Sequence, residues 1–236
     1  MASSRIFFTH GSEAFTGRRL TVMPLDEKKT EHEIIVRNIT EADLKEVAAL
    51  SLRCFGQGMS LKYEHMESQL NIFPRGQVCV EYGGKIVGCA LSLIVNYDDY
   101  GDDHTYEQIS GDGFIRNHNP NGKHLYGIEV GVDPNYRKKN LGRKLYEERK
   151  RICKELNLKS IIIGGRMPYF HKYKDQMSPE QYAKAVVEGK IYDPVLTFQK
   201  QNGFELKKVI PNYLPDDEES LYYATSMEWV NEEYVR

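Results

Sequence analysis

The chain has 236 residues, 40% hydrophobic and 28% charged, which suits one globular domain with extensions and leaves two domains cramped. A net charge of −2 excludes a broad nucleic-acid-binding face, which needs concentrated positive charge to release counterions from phosphates. No apolar run reaches the length of a membrane span, and Cys54, Cys79, Cys89 and Cys153 lack C-x-x-C spacing, so the chain reads as cytoplasmic with reduced, buried thiols.

Residues 1–32 carry mixed charge without sustained periodicity and read as an N-terminal extension, leaving 33–236 for the compact domain. Ile34-Ile35-Val36-Arg37 predicts a strand, and Thr40 with Asp43 three residues on predicts a capped helix reaching about Cys54. A second helix is expected over about 61–70. Residues 77–82 and 85–95 read as hairpin strands joined by Gly83-Gly84. A polar insertion, 96–122, precedes an apolar strand over 125–132, which Asp133-Pro134 stops because proline has no N–H for a ladder. Asn96, Asp98, Gly101, Asp102 and Glu107 partly imitate a calcium loop, but Tyr100 occupies a ligand position and the histidines show no metal spacing, so no metal site is expected. Leu141, Leu145, Ile152 and Leu156 recur near the helical period, with charged residues on the other face. Ser160-Ile161-Ile162-Ile163 suits a strand buried on both faces, and strand, helix and strand here predict a right-handed parallel crossover. A second insertion, 164–190, holds a helix from about 179 to 188. A helix over 194–202, ended by Gly203, and strands near 204–209 and 221–229 complete the chain.

The turn between the strand at 125–132 and the following helix is suited to a diphosphate. The first N–H groups of a helix lack intrahelical partners, and the helix dipole adds partial positive charge there. Asn140 tolerates left-handed backbone, Gly142 admits a close ligand, and Arg137, Lys138, Lys139 and Arg143 add charge.

Arg137-Lys138-Lys139-Asn140-Leu141-Gly142 resembles the Q/R-x-x-G-x-G/A acyl-CoA loop of the GNAT superfamily of N-acetyltransferases, with Asn140 in place of the first glycine. The element order β-α-α-β-β-β-α-β-α-β-β and the segment Phe198-Gln199-Lys200-Gln201-Asn202-Gly203-Phe204 are similar to that superfamily over about residues 34–230. Asn117-His118-Asn119-Pro120, Gly164-Gly165-Arg166-Met167-Pro168 and Tyr192-Asp193-Pro194-Val195-Leu196 look like the GNAT-type domain found fused to nitrilase-superfamily amidohydrolases. The resemblance implies an α/β (α+β) fold, a mixed, mostly antiparallel central sheet flanked by helices, with two insertions. It implies acetyl-CoA or coenzyme A as co-substrate, with the pantetheine arm between the 125–132 strand and Ser160–Ile163. Gly131 is then a bulge or close approach that frees the backbone of Val130 and Val132 for the ligand, and residues 137–143 hold the diphosphate.

Acyl transfer by direct attack of an amine within a ternary complex needs a base. Glu129 is the first candidate, because partial desolvation in an apolar strand raises a carboxyl pKa; an exposed strand glutamate or a salt-bridge partner is the alternative. His171 is the second candidate, against a surface histidine. Gln199 stands where many relatives carry the tyrosine that protonates the leaving thiolate, so no acid is assigned; a thiol of cysteine-like pKa, about 8.5, leaves without much help. The expected activity is acyl transfer from acyl-CoA to a small-molecule or peptide amine. The alternative, prompted by Gln199 and the fused relatives, is a non-catalytic acyl-CoA sensor or docking domain for a nitrilase-type amidohydrolase. A homodimer is compatible with either.

Overall fold

The computed structural model describes residues 33–101 and 103–236; the expected extension over 1–32 lies outside the described residues. Strands β1 (Ile34–Asn38), β2 (Gln77–Tyr82), β3 (Lys85–Val95), β4 (His124–Val132), β5 (Ser160–Arg166), β6 (Glu205–Ile210) and β7 (Ala224–Val230) form one sheet in the order β1-β2-β3-β4-β5-β7-β6. Among the described residues, only β4 and β5 pair in parallel. This is the expected mixed, mostly antiparallel sheet. Gly83 and Gly84 turn the β2–β3 hairpin with φ of 60° and 77°, a conformation in which a side chain is strained.

Helices α1 (Leu44–Met59) and α2 (Tyr63–Ile72) cover one face of the sheet, where Val47, Leu50, Met66, Cys89 and Leu91 are buried together. The other face is covered by α4 (Leu141–Glu155), whose Leu145 and Ile152 join Val80, Ala90 and Tyr126. Cys89 and Leu91 of β3 enter the first core and Ala90 and Leu93 the second, so both faces of the strand are buried and its sequence shows no polar face. Helix α1 is entered through a 3₁₀ turn, Glu41–Asp43. There the Asp43 carboxylate accepts the Thr40 N–H and O–H, each at 2.8 Å, and two Arg37 donors at 2.6 and 2.9 Å. The helix continues beyond the expected Cys54 through a kink at Gly56, where φ is 77°.

The insertions are more ordered than their polar composition suggests. The first carries α3 (Tyr106–Ser110), tied to the sheet by a Tyr106 N–H to Tyr213 carbonyl bond of 2.9 Å and a Tyr126–Tyr213 hydroxyl contact of 2.7 Å. In the second, Gly164-Gly165-Arg166 continues β5 because each residue pairs with β7, so the ladder overrides weak strand propensity. Helix α5 (Pro179–Val187) lies where expected. Helix α6 (Leu196–Gln201) starts later than expected, after a turn in which the Asp193 carboxylate accepts the N–H groups of Val195 and Leu196 at 2.9 and 3.0 Å, as an N-cap does. Strand β7 likewise begins only at Ala224, since Leu221 and Tyr222 have positive φ. Among the described residues, no helix is long and apolar enough to cross a membrane.

Two departures from regularity create the site. Strands β4 and β5 pair only over His124–Gly127 and Ser160–Ile163; beyond this β4 continues with β3 and β5 with β7. The β3–β4 register also shifts, with Gly127 opposite Ser92 and Glu129 opposite Leu91, leaving Ile128 as an inserted residue.

Candidate active site

A cavity of about 770 Å³ opens where β4 and β5 part, bordered by β4 from Gly127 to Val132, the start of α4, and Phe198 and Gln199 of α6. At its basic end Lys138 and Asn140 have φ of 64° and 59°, so the loop makes two left-handed steps before α4. Asn140 is tolerated there in place of glycine, and its side chain makes no capping bond. The first amides of α4, those of Leu141, Gly142 and Arg143, thus start a 15-residue helix without a side-chain cap, a site suited to an anion.

Arg137, Lys138, Asn140, Leu141, Gly142 and Arg143 all line the cavity, as do Val130, Gly131 and Val132. Three expectations need correction. Lys139 is not in the lining; its ammonium lies 5.0 Å from the centre of the Tyr82 ring, a cation–π contact on the loop's other side. The bulge falls at Ile128, and Gly131 is in register with Cys89. A Cβ at Gly131 would sit 3.2 Å from both Cys54 Sγ and Phe55 Cε2, so the close approach there is by α1. Gly142, read as room for the ligand, makes room for α6: a Cβ there would lie 2.8 Å from Phe198 Cζ.

Glu129 also lines the cavity and is 8% exposed. The inserted Ile128 turns it towards α1, where it accepts Ser51 Oγ at 2.9 Å and Cys89 Sγ at 3.4 Å. Ser51 Oγ also accepts the Leu61 N–H at 2.9 Å, which aims its proton at the carboxylate. Burial raises the Glu129 carboxyl to about 7, against the opposing pull of the two hydrogen bonds. The Cys89 thiol is driven up by burial and by Glu129, so it serves as a donor. Glu129 can therefore take a proton near neutrality.

His171 does not join it. Its ring is exposed, contacts the Glu219 carbonyl at 3.1 Å through Nδ1, and lies outside the cavity lining. Position after the Gly-Gly-Arg segment suggested the cleft, but that segment is strand, and the chain turns away after it.

Arg149 was hidden among the charged residues of α4. It is 1% exposed, lines the cavity, and donates to the Leu91 and Glu129 carbonyls at 2.9 and 2.8 Å and to Ser92 Oγ at 3.1 Å. Gly127 leaves the space, since its Cβ would lie 2.6 Å from Arg149 Nη1. Its place four residues after Leu145 and three before Ile152, on the apolar stripe, was the available signal. Ser51, Tyr106, Tyr146 and Tyr213 were also missed, since separate segments bring them together. Tyr106 and Tyr213 line the cavity with Phe55, Met59 and Leu214.

A basic helix terminus, a slot between parted strands and a buried carboxylate thus line one cavity. The chain belongs to the acetyltransferase (GNAT) family, whose sequence pattern matches residues 44–171. It is 49% identical over 211 residues to the Bacillus subtilis protein described as probable hydrolase YhcX, matching 89% of this chain and 41% of that protein. The chain thus spans well under half the length of that relative. It is 35% identical over 207 residues to the uncharacterized N-acetyltransferase YkwB of Bacillus subtilis, matching 86% of this chain and 91% of that protein. The GphF GNAT-like decarboxylase, solved in complex with isobutyryl-CoA, shares the fold with a TM-score of 0.71 and 20% identity, over 83% of this chain and 98% of that one.

Proposed function

We propose that the chain is an acyl-CoA-dependent N-acyltransferase acting on a primary amine, with acetyl-CoA as the simplest donor. The observation that carries this reading is Glu129, a buried carboxyl pushed up to about 7, in a cavity that runs to the uncapped start of α4. The cavity fits an acyl-CoA. The amides of Leu141 to Arg143, with Arg137, Lys138 and Arg143, would hold the diphosphate, and β4 from Val130 to Val132, paired with β3 but not with β5, would receive the amides of the pantetheine arm on its β5 side. The bound thioester supplies the acyl group. Glu129 takes the ammonium proton of the amine, and Ser51 and Cys89 hold the carboxylate in position. Phe55, Met59, Tyr106, Tyr213 and Leu214 offer the acceptor an apolar and aromatic wall, favouring an amine with a hydrophobic body.

The test is thiol release from acetyl-CoA by the purified chain, with and without pooled polyamines, amino acids, lysine peptides and aromatic amines. Amine-dependent release supports the reading. Measurable acetyl-CoA binding with no release from any pool would favour the sensor or docking role, which the 49% identity to a segment of a longer probable hydrolase also supports.

One further observation favours a second reaction. The buried Arg149 guanidinium has no carboxylate partner among the described residues, and a charge in such surroundings is costly unless paired. A carboxylate on the acyl group would supply the missing charge, and the GphF protein of the same fold is described as a decarboxylase. On this reading malonyl-CoA and a proton yield acetyl-CoA and carbon dioxide without an amine. Conversion of malonyl-CoA in the absence of amine distinguishes the two reactions.

A further inference from the structure

The neck of the first insertion, 96–122, is closed by hydrogen bonds of two kinds. The Asn119 N–H donates to the Ile94 carbonyl at 2.8 Å, and the Lys123 N–H to the Val95 carbonyl at 3.1 Å. Beside these, the Ile94 N–H donates to His118 Nδ1 at 3.1 Å, and the Tyr97 N–H to His124 Nδ1 at 3.2 Å. A ring that accepts through Nδ1 is neutral and carries its proton on Nε2. Protonation would set N–H against N–H at both places, and each backbone donor would lose its acceptor. The surroundings of the two rings oppose that charge. His118 is stacked on Phe73, ring centres 4.5 Å apart, and burial lowers its pKa. His124 is 4% exposed, with Tyr97 edge-on to it. Burial and Lys159 lower its pKa, and Asp98, Glu228 and the Val95 carbonyl pull the other way without prevailing. His104, also in the insertion, faces the Gly101 carbonyl through Nδ1 at 3.2 Å and is a donor there. His65 accepts the Lys62 N–H at the start of its own helix, α2, edge-on to Phe114.

The insertion reaches from this neck to the cavity. Tyr106 of α3 lines the cavity, and its N–H donates to the Tyr213 carbonyl at 2.9 Å. At the tip, Gln69 Nε2 and Ser68 Oγ of α2 donate to the Gly113 and Phe114 carbonyls at 2.7 and 2.8 Å. An amide and a hydroxyl do not titrate near neutrality, so acid acts at the neck and not at the tip. We propose that His118 and His124 form an acid-sensitive clasp on the first insertion, which fixes the Tyr106 wall of the cavity and releases it as the rings take up protons. In the folded chain both rings bind a proton less readily than at the ordinary 6.5. The unclasped state therefore takes up more protons, so the clasp is fully present above pH 6.5 and is lost as pH falls below it. The clasp is independent of what the cavity binds; its effect on turnover rests on the N-acyltransferase reading.

The experiment is amide hydrogen exchange of the full chain at pH 7.5 and 5.5, corrected for the intrinsic pH dependence of exchange. It reads Ile94, Tyr97 and α3 against residues 161–163 of β5. In wild type, protection at Ile94, Tyr97 and α3 should fall by up to roughly tenfold for each ring, because pH 5.5 lies one unit below 6.5, while that of β5 holds. His118→Asn and His124→Asn put an amide oxygen near the Nδ1 position and remove the titration. The double variant should then give the same protection ratio at both pH values, and each single variant should keep only the share of its remaining ring. A wild-type ratio that does not change with pH overturns the clasp, and so does a fall that the variants reproduce in full. Turnover reads the consequence. Between pH 7.5 and 5.5 the KM for the amine should rise more in wild type than in the double variant, while the loss of kcat from protonated Glu129 is common to both. An equal rise overturns the link between the clasp and the Tyr106 wall. Acid-dependent exchange in a chain that turns over no amine overturns the N-acyltransferase reading and leaves the clasp in place.

Discussion

Glu129→Gln should make the protein more stable above neutral pH while abolishing most of its activity. The folded carboxyl is raised from its ordinary 4.5 to about 7, mainly by burial. A raised value means that the folded state holds the proton more tightly, so the stability is fully present below pH 4.5 and is lost as pH rises through about 7. At about 1.4 kcal/mol per pH unit, the loss is about 3 kcal/mol. Glutamine carries no charge and escapes it, but gives up one accepted hydrogen bond, from Ser51 or Cys89, at about 1 kcal/mol. The variant should therefore be about 1 kcal/mol less stable near pH 4.5 and about 2 kcal/mol more stable at pH 8. For a domain of this size the latter is roughly 4–8 °C in Tm. Calorimetric melts at several pH values, paired with acetyl-CoA turnover, check both halves. Turnover should drop roughly 10²- to 10⁴-fold with coenzyme A affinity retained, and wild-type kcat/KM should climb through about pH 7. A stability difference that does not change with pH would show that the carboxylate is not desolvated in the folded protein. Undiminished turnover would remove Glu129 as the base.

Gly142→Val should cost about 1–3 kcal/mol by forcing a side chain against Phe198, and Phe198→Leu in the same chain should recover part of it; thermal melts read the stability. Coenzyme A titration of the double variant then separates the roles of Gly142, since recovered stability with weak binding means the ligand also needs the missing side chain. Asn140→Ala should lose roughly 1 kcal/mol because alanine is strained at φ 59°, whereas Asn140→Gly should melt within a few tenths of a kcal/mol of wild type. Arg149→Met should cost about 2–5 kcal/mol in a denaturant titration, because the Leu91 and Glu129 carbonyls would be left buried without donors.

Much of the sheet was legible because its strands are bounded by signals that tertiary contacts do not overrule. Gly83-Gly84 turns the hairpin, Asp133-Pro134 lies at the end of β4, and the apolar run at Ile161 to Ile163 is buried between β4 and β7. The basic loop was legible for a similar reason: a left-handed Asn140 and a helix start are local features. Features that depend on distant partners were not. Gly164 to Arg166 become strand only because β7 supplies a ladder, and Gly131 and Gly142 owe their missing side chains to Phe55 and Phe198. A glycine marks a close approach, but its own position does not identify what approaches.

The inserted Ile128 is the clearest case of local sequence and distant packing combining into a site. In a regular strand Gly127 and Glu129 would face the same side of the sheet. With one residue inserted, Gly127 faces Arg149 beneath α4, and Glu129 faces Ser51 on α1. The irregularity leaves the Leu91 and Glu129 carbonyls needing donors in the interior, and one Arg149 nitrogen meets both. The cation thus stabilises the bend that carries the base, and the same bend lies where β4 and β5 stop pairing. Removing Ile128 would leave Gly127 opposite Ser92 and Glu129 opposite Leu91 in an unbroken register, with Glu129 still on the α1 side but without the bend. Position of the base, parting of the strands and burial of the arginine therefore depend on one another, so a substitution at Arg149 should disturb the alignment of Glu129 as well as lower stability.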